Sequence, residues 1–428
     1  MSKRQVVIVS GARTPFVKAF AEYTSLDTID LGTIAVNGLL QKTGINKAEI
    51  QALYWGGVVL PSAYPNIARE IAIDTGLPRS ADSFTVSRAC TSGLLSITLA
   101  HSAIERGDID VAIAGGGDST SSAEVSLPQK LTKTIAPLVM SKKTTPMDWL
   151  AVASQINPIT DILPRPPRIV ERSTGQLMGE SAEDMAKRNA ISQLEQDQFA
   201  LRSHQNAARA IKTGRLAEEI IPVDFKKAKK VYSDGIVRGD VTLRKLSSLK
   251  PVFAKDGTLT AGNSSPLTDG AACVLLMSLE KAKSLGLKPL AKIRSFDYVG
   301  VDPFDQLLIG PAISMPQALK KAGMSLQDID LVDIHEAFAA QVLSVMKALA
   351  SKSFAEKKLG MDKAVGEIDT NKLNIHGGSI SLGHPFAATG ARMAYTMANE
   401  LSKNGKETAL LGVCAAGGLG AAAVLEAV

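Results

Sequence analysis

LLQKTGINKAEIQALYWGG, residues 39–57, lies over ALKKAGMSLQDIDLVDIHE, residues 318–336, with Leu40 on Leu319, Gly44 on Gly323, Ile50 on Ile329 and Leu53 on Val332. Each copy reads as the end of a helix, a glycine that stops it, a short loop and a buried strand. A second match follows in each half. In the first, Cys90 opens a helix read over 94–106 and stopped at Gly107, followed by DVAIA and Gly115-Gly116-Gly117. In the second, His384 precedes a helix read over 388–401, followed by TALLGV, Cys414 and Gly417-Gly418.

Two copies of an alternating α/β unit predict an α/β fold with two similar sheets, each flanked by helices, whose strand ends face one site. The expected division is an N-terminal half over 1–121, completed by 268–288, and a C-terminal half over 289–428. Between them, 122–267 reads as an inserted loop or lid domain. It carries the Pro-rich LPRPPR (163–168), a helical stretch over 180–213 and a basic cluster, Lys226, Lys227, Lys229, Lys230, Arg238, Arg244, Lys245 and Lys250.

Composition narrows the function classes. Hydrophobic residues at 45% and charged residues at 21% describe an ordinary globular chain. No apolar run approaches the ~18 residues of a membrane span, and Val6–Val9 is too short for a signal peptide and suits a first buried strand. Three cysteines, Cys90, Cys273 and Cys414, are too few and too dispersed for a disulfide framework, which points to the reducing cytoplasm. They lack paired zinc-site spacing, so no metal is expected. The net charge is +6; the basic cluster suits either a solvated surface or a phosphate-bearing ligand. Nucleic acid is disfavoured, because aromatics make up 4% and no recognition motif is present.

Cys90 in VSRACTSGLLS sits where a helix dipole eases thiol ionisation, although a free cysteine is also a good core residue. His335 ends the strand-like LVDI, His384 sits in a glycine turn before a helix, and Cys414 ends a strand; strand ends and such turns are where α/β folds place sites. Cys273, within DGAACVLLM, reads as core. His101 and His204 read as structural, and His376 lies close to the turn but off the motif. Glu336 reads as a residue that orients a neighbour or caps the segment.

SRACTSG, HEAFAAQ, GGSISLGHPFAATGAR and CAAGGLGAA, in that order, resemble the four signature blocks of the thiolase family, and the likeness spans essentially the whole chain. HEAF paired with CAAGG, and the insertion before STGQLMGESAEDMA, most resemble the thiolase (β) subunits of fatty-acid β-oxidation trifunctional complexes. Many thiolases carry asparagine at the position of His335 and glycine at that of Ala416.

The resemblance implies a thiolase-like fold of two duplicated α/β/α halves packed in layers, and an acyltransferase that cleaves 3-ketoacyl-CoA with CoA. Cys90 would be the nucleophile, His384 its base, and Cys414 the acid toward the departing acetyl-CoA carbanion. His384 with a water held by His335 would form one oxyanion hole, and the N–H groups of Cys90 and Ala416 a second. Met178, Ala261, Ser265 and Phe338 would line the pantetheine path. CoA enters as substrate and no cofactor is implied. Implied partners are acyl-CoA and CoA, further copies of the chain in a homodimer or homotetramer, and a hydratase/dehydrogenase α subunit. The apolar and basic mixture over 123–172 suits that subunit, a membrane surface, or a substrate-facing lid. The rival readings are a biosynthetic acetyl-CoA acetyltransferase and, from another class, a non-catalytic acyl-CoA-binding scaffold; the latter has no need for two cysteines aimed at one histidine.

Overall fold

Ten strands form the framework: β1 (Val6–Arg13), β2 (Val17–Lys18), β3 (Ala52–Gly56), β4 (Asp82–Val86), β5 (Val111–Asp118), β6 (Thr268–Ser278), β7 (Ala291–Gly300), β8 (Leu331–Ile334), β9 (Thr408–Ala415) and β10 (Leu419–Ala427). They come from a computed structural model that describes residues 4–125, 127–157, 160–163, 170–224 and 230–428. LPRPPR, apart from its first residue, and Lys226, Lys227 and Lys229 lie outside the described residues.

The strands run in the order β4-β3-β5-β6-β1-β7-β10-β9-β8, with β2 paired to β6. From the β1–β7 seam outward the order is β1-β6-β5-β3 on one side and β7-β10-β9-β8 on the other, so the two copies of the repeat occupy equivalent places. The counterpart of β4 shrinks to one bridge between Val332 and Leu373. The two expected sheets are therefore joined edge to edge. The seam is narrow, pairing Val7 with Lys292 and Ile8 with Ala291.

Side-chain alternation along each strand separates the layers. Val6 and Ile8 face an inner core with Ala409, Leu411 and Val413. Val7 and Val9 face an outer core on the first half, and Leu410 an outer core on the second. Two helices, Ser92–Arg106 and Ala388–Lys403, supply the inner core. Thr28–Thr43 and Ile67–Asp74 cover the first half, and Pro311–Ala322 and Ala339–Leu349 the second. The repeated glycines do what their spacing predicts: Gly44 (φ 64°) and Gly323 (φ 67°) end their helices in left-handed caps.

The inner helices approach closely at their N-terminal ends. A Cβ on Gly93 would stand 2.0 Å from the Ala387 carbonyl oxygen, and one on Gly390 2.7 Å from the Leu94 nitrogen. Residues just before the two helices are thereby brought together, among them Cys90 and His384.

The chain divides into two compact units, Met1–Ser122 with Glu171–Val428, and Ala123–Val170. This corrects the expectation of one inserted domain over 122–267, because residues 171–267 are built into the larger unit. The helical stretch at 180–213 is two helices, Met178–Arg188 and Gln193–Lys212, with Ser192 capping the second. Ala182, Met185, Phe199 and Ala200 join the outer core of the second half. Fully buried Arg13 on β1 donates to both carboxylate oxygens of Asp234, at 2.7 and 2.8 Å, and lies 3.4 Å from Glu219, which also accepts from Arg215 at 2.8 Å. A buried guanidinium needs such partners, and they are supplied by the segment that the sequence reading set apart.

The smaller unit contains helices Gln129–Met140 and Pro146–Ala153, the second opened by a Thr145–Asp148 capping box, and a Lys130–Asp161 ion pair at 2.5 Å. Val139 (68% exposed), Met140 (85%), Met147 (72%) and Leu150 (66%) point outward. Among the described residues, no helix is long and apolar enough to cross a membrane.

Candidate active site

β4 delivers the chain to a tight turn before the first inner helix. Ala89 is held at φ 47°, the left-handed region that costs a Cβ-bearing residue energy. Ser92 Oγ accepts from the Arg88 N–H at 2.7 Å and donates to the Ala89 carbonyl at 2.6 Å, locking the turn. Cys90 follows, only partly buried, at the edge of this knot.

His384 faces it. Nε2 of the ring lies 3.2 Å from Cys90 Sγ, while Nδ1 is hydrogen-bonded to Thr389 Oγ1 at 2.6 Å. With Nδ1–H donating to the threonine, Nε2 presents a lone pair to the thiol. The turn is fixed at its backbone too, because the His384 N–H donates to Thr268 Oγ1 at 2.7 Å.

His335 leaves β8 with its N–H donating to the Gly412 carbonyl at 2.8 Å. Its ring stacks at a tilt on His384, with centroids 4.1 Å apart. Nδ1 meets Ser379 Oγ at 2.8 Å, and Nε2 is buried without a protein partner. Cys414, on β9 one residue before the strand ends, is buried, and a charge on Cys90 would hold its thiol up. The N–H groups of Ala416 and of Cys90 itself both act on the Cys90 sulfur. Past Ala416 the hairpin turns through Gly417 (φ 80°) and Gly418 (φ 66°), conformations that glycine adopts without strain.

The electrostatics differ from what helix position alone suggests. Burial pushes the Cys90 thiol up to about 12, against a smaller opposing effect of the two N–H groups. Burial likewise pushes the His384 imidazole far below the ordinary histidine range, with Arg392 adding repulsion. His335 is held neutral by burial and by its neighbour His384, and Cys414 is raised by burial and by Cys90. The resting pair is thus neutral thiol and neutral imidazole, because desolvation outweighs the helix dipole.

Asp118, at the end of β5, was missed by the sequence reading. Fully buried, it accepts from the N–H groups of Val58 and Val59 at 2.8 and 2.6 Å and from that of Ala387 at 2.9 Å. It ties the His384 turn to the loop after β3. Burial pushes its carboxyl up to about 7. Ser379, Thr389 and Thr268, which orient the two histidines, were missed as well; single hydroxyl residues carry no spacing signal. Glu336 accepts from Ser203 Oγ at 2.7 Å, Asn374 Nδ2 at 2.6 Å and the Ile380 N–H at 3.2 Å, and so braces the segment leading to Ser379.

The residues expected along the pantetheine path lie on neighbouring segments. Phe338 is buried against Phe253, with centroids 5.7 Å apart, in a cluster that Met178 also packs against. Ser264 bridges to Phe338, the Ser265 N–H donates to the Ala337 carbonyl at 3.0 Å, and Leu267 bridges to His384. Ala261 is exposed at the start of that loop. Cys273 lies in the core of the first half. His204 accepts from the Arg238 N–H, His101 packs edge-on against Phe296, and His376 pairs with Glu400 at 2.8 Å. In the basic cluster, Lys230 pairs with Asp224 and Lys245 with Asp240.

Two family models match the chain, "Thiolase, N-terminal domain" over residues 6–280 and "Thiolase, C-terminal domain" over 287–427. Among curated relatives, a "3-ketoacyl-CoA thiolase" of Serratia proteamaculans (strain 568) is 44% identical over 424 residues, covering 99% of this chain and 97% of the relative. One of the same name from Shewanella halifaxensis (strain HAW-EB4) is 43% identical with the same coverage. Similar solved structures include the acetyl-CoA acetyltransferase of Bacillus anthracis, at TM-score 0.83 and 31% identity over 100% of both chains. Human mitochondrial 3-ketoacyl-CoA thiolase in complex with CoA matches at TM-score 0.85 and 29% identity, over 99% of this chain and 98% of that one. By sequence along its whole length and by fold, the chain belongs to the thiolase family, whose members are acyltransferases.

Proposed function

We propose that the chain is a 3-ketoacyl-CoA thiolase of fatty-acid β-oxidation, forming acetyl-CoA and a shortened acyl-CoA through an acyl-enzyme on Cys90. The observation that carries this reading is the 3.2 Å approach of His384 Nε2 to the Cys90 sulfur. As Cys90 attacks the keto carbon, its proton passes to His384. When the tetrahedral intermediate collapses, the carbon–carbon bond breaks and its electron pair goes to the acetyl-CoA carbon, which takes a proton from Cys414. His384 returns its proton to the Cys414 thiolate and then accepts the proton of the incoming CoA thiol as that sulfur attacks the acyl-enzyme; Cys90 leaves as thiolate and takes that proton back from His384. The acyl-enzyme is a thioester, close in energy to the acyl-CoA formed when CoA attacks it, so the intermediate is not a deep well.

In this reading one oxyanion hole is formed by His384 and a water on the unpartnered Nε2 of His335. The other hole is formed by the N–H groups of Cys90 and Ala416. Met178, Ala261, Ser265 and Phe338 line the pantetheine arm, and the basic cluster meets the CoA phosphates. CoA is a substrate, and no separate cofactor takes part. The enzyme works in the cytoplasm as a homodimer or homotetramer, in complex with a hydratase/dehydrogenase α subunit. The exposed apolar side chains and lysines of 123–172 contact that subunit or a membrane surface. A deletion variant that keeps full association with both the subunit and lipid vesicles would refute the last assignment.

Mass spectrometry after brief incubation with an acyl-CoA tests the core of the reading. Wild type gains the mass of one acyl group and Cys90→Ala gains none; an adduct on the variant removes the proposal. Because one structural neighbour is an acetyl-CoA acetyltransferase, chain-length profiling completes the test. Negligible thiolysis of medium and long 3-ketoacyl-CoAs would favour that activity instead.

A further inference from the structure

Among the described residues, one group of three or more potential metal-binding side chains stands out: Cys90, His335 and His384 each offer a donor atom within 4.8 Å of the others. The donors are two imidazoles and a sulfur, the borderline-soft set that selects Zn2+ over Mg2+ or Ca2+. Both rings are held through their other nitrogen, His384 by Thr389 and His335 by Ser379. Hydroxyl anchors of this kind play the part that outer-shell hydrogen bonds play in metal sites. His335 Nε2, in a side chain with no solvent exposure, has no protein partner, and His384 Nε2 already lies 3.2 Å from the sulfur.

From these contacts we infer that the centre is also a binding site for a soft divalent cation, with Zn2+ as the type, held by Cys90 Sγ and the Nε2 atoms of His335 and His384. The cation displaces the thiol proton to solvent, leaves both imidazoles neutral and keeps one position open for a water or an incoming thiol. Tetrahedral zinc with ordinary bond lengths sets donors about 3.3 to 3.6 Å apart, so a separation at the 4.8 Å limit must contract by about 1.2 to 1.5 Å. The ligands come from three distant segments, which is why cysteine spacing carried no sign of a zinc site. Asparagine at position 335 offers a poor zinc ligand, so the site depends on the second imidazole. The binding stands on geometry alone. Its consequence, reversible silencing of turnover by occupying nucleophile and base together, rests on the thiolase reading.

The test uses the full chain, stripped with a chelator and titrated with Co2+ and then Zn2+. One Co2+ per chain is expected, with the near-ultraviolet charge-transfer absorption of a thiolate ligand and the visible bands of four-coordinate cobalt, both displaced by Zn2+. Zn2+ protects Cys90 from iodoacetamide, and a chelator restores alkylation. Ser379→Ala weakens Zn2+ binding about tenfold, and His335→Asn weakens it further, each variant being checked for native circular dichroism. Absence of the thiolate band, or unchanged Zn2+ affinity in His335→Asn, overturns the site. Failure of the two readings is distinguishable: cobalt bands in a chain without thiolysis leave the site standing and remove the reaction, whereas thiolysis unaffected by Zn2+ removes the silencing.

Discussion

Burial sets the chemistry of Cys90 more strongly than its place at a helix start. A thiol held up by desolvation beside a neutral imidazole differs from a preformed thiolate–imidazolium pair, and alkylation kinetics separate them. Thiolate is the reactive form, so with the pKa raised the iodoacetamide rate constant at Cys90 should climb about tenfold per pH unit from pH 6 to 9. A plateau at neutral pH would instead report an ion pair and contradict the desolvated thiol. His384, depressed by burial, should place no titration near pH 6.5 on this profile.

The elements that carry these side chains meet because glycine permits it. Gly93→Ala would drive a methyl group into the Ala387 carbonyl, 2.0 Å away. The expected cost is about 3 kcal/mol of stability, together with a fall in kcat, because the contact also sets the distance between Cys90 and His384. Gly44→Ala makes the contrast. Its left-handed cap has open space around the added methyl, so it should lose about 1 kcal/mol with kcat unchanged. Urea denaturation and steady-state kinetics on both variants decide the point; equal kcat in Gly93→Ala would detach the helix contact from catalysis.

Across the whole molecule, the Arg13–Asp234–Glu219–Arg215 cluster binds the middle segment to the first strand. Arg13→Ala leaves the buried Asp234 carboxylate without its cation and should cost about 3 to 5 kcal/mol, read as a lowered urea midpoint. A loss below about 1 kcal/mol would place that segment outside the cooperative unit. This cluster also explains why 122–267 read as a single insertion. Its charges look like loop residues along the chain, and only the fold shows them paired inside.

The duplication was legible because helix stops, strand alternation and glycine caps are local properties, repeated at Gly44 and Gly323 with nearly the same φ. Motif order likewise pointed to Cys90, His335, His384 and Cys414 as candidates. Residue type and chain position were enough to propose nucleophile and base, since thiol and imidazole reactivity are intrinsic. The tertiary structure alone decided that atoms 294 residues apart stand 3.2 Å from each other, that Asp118, Ser379 and Thr389 hold them there, and that the resting pair is uncharged. Distance across the fold and exclusion of water are properties of packing, and no linear pattern encodes either.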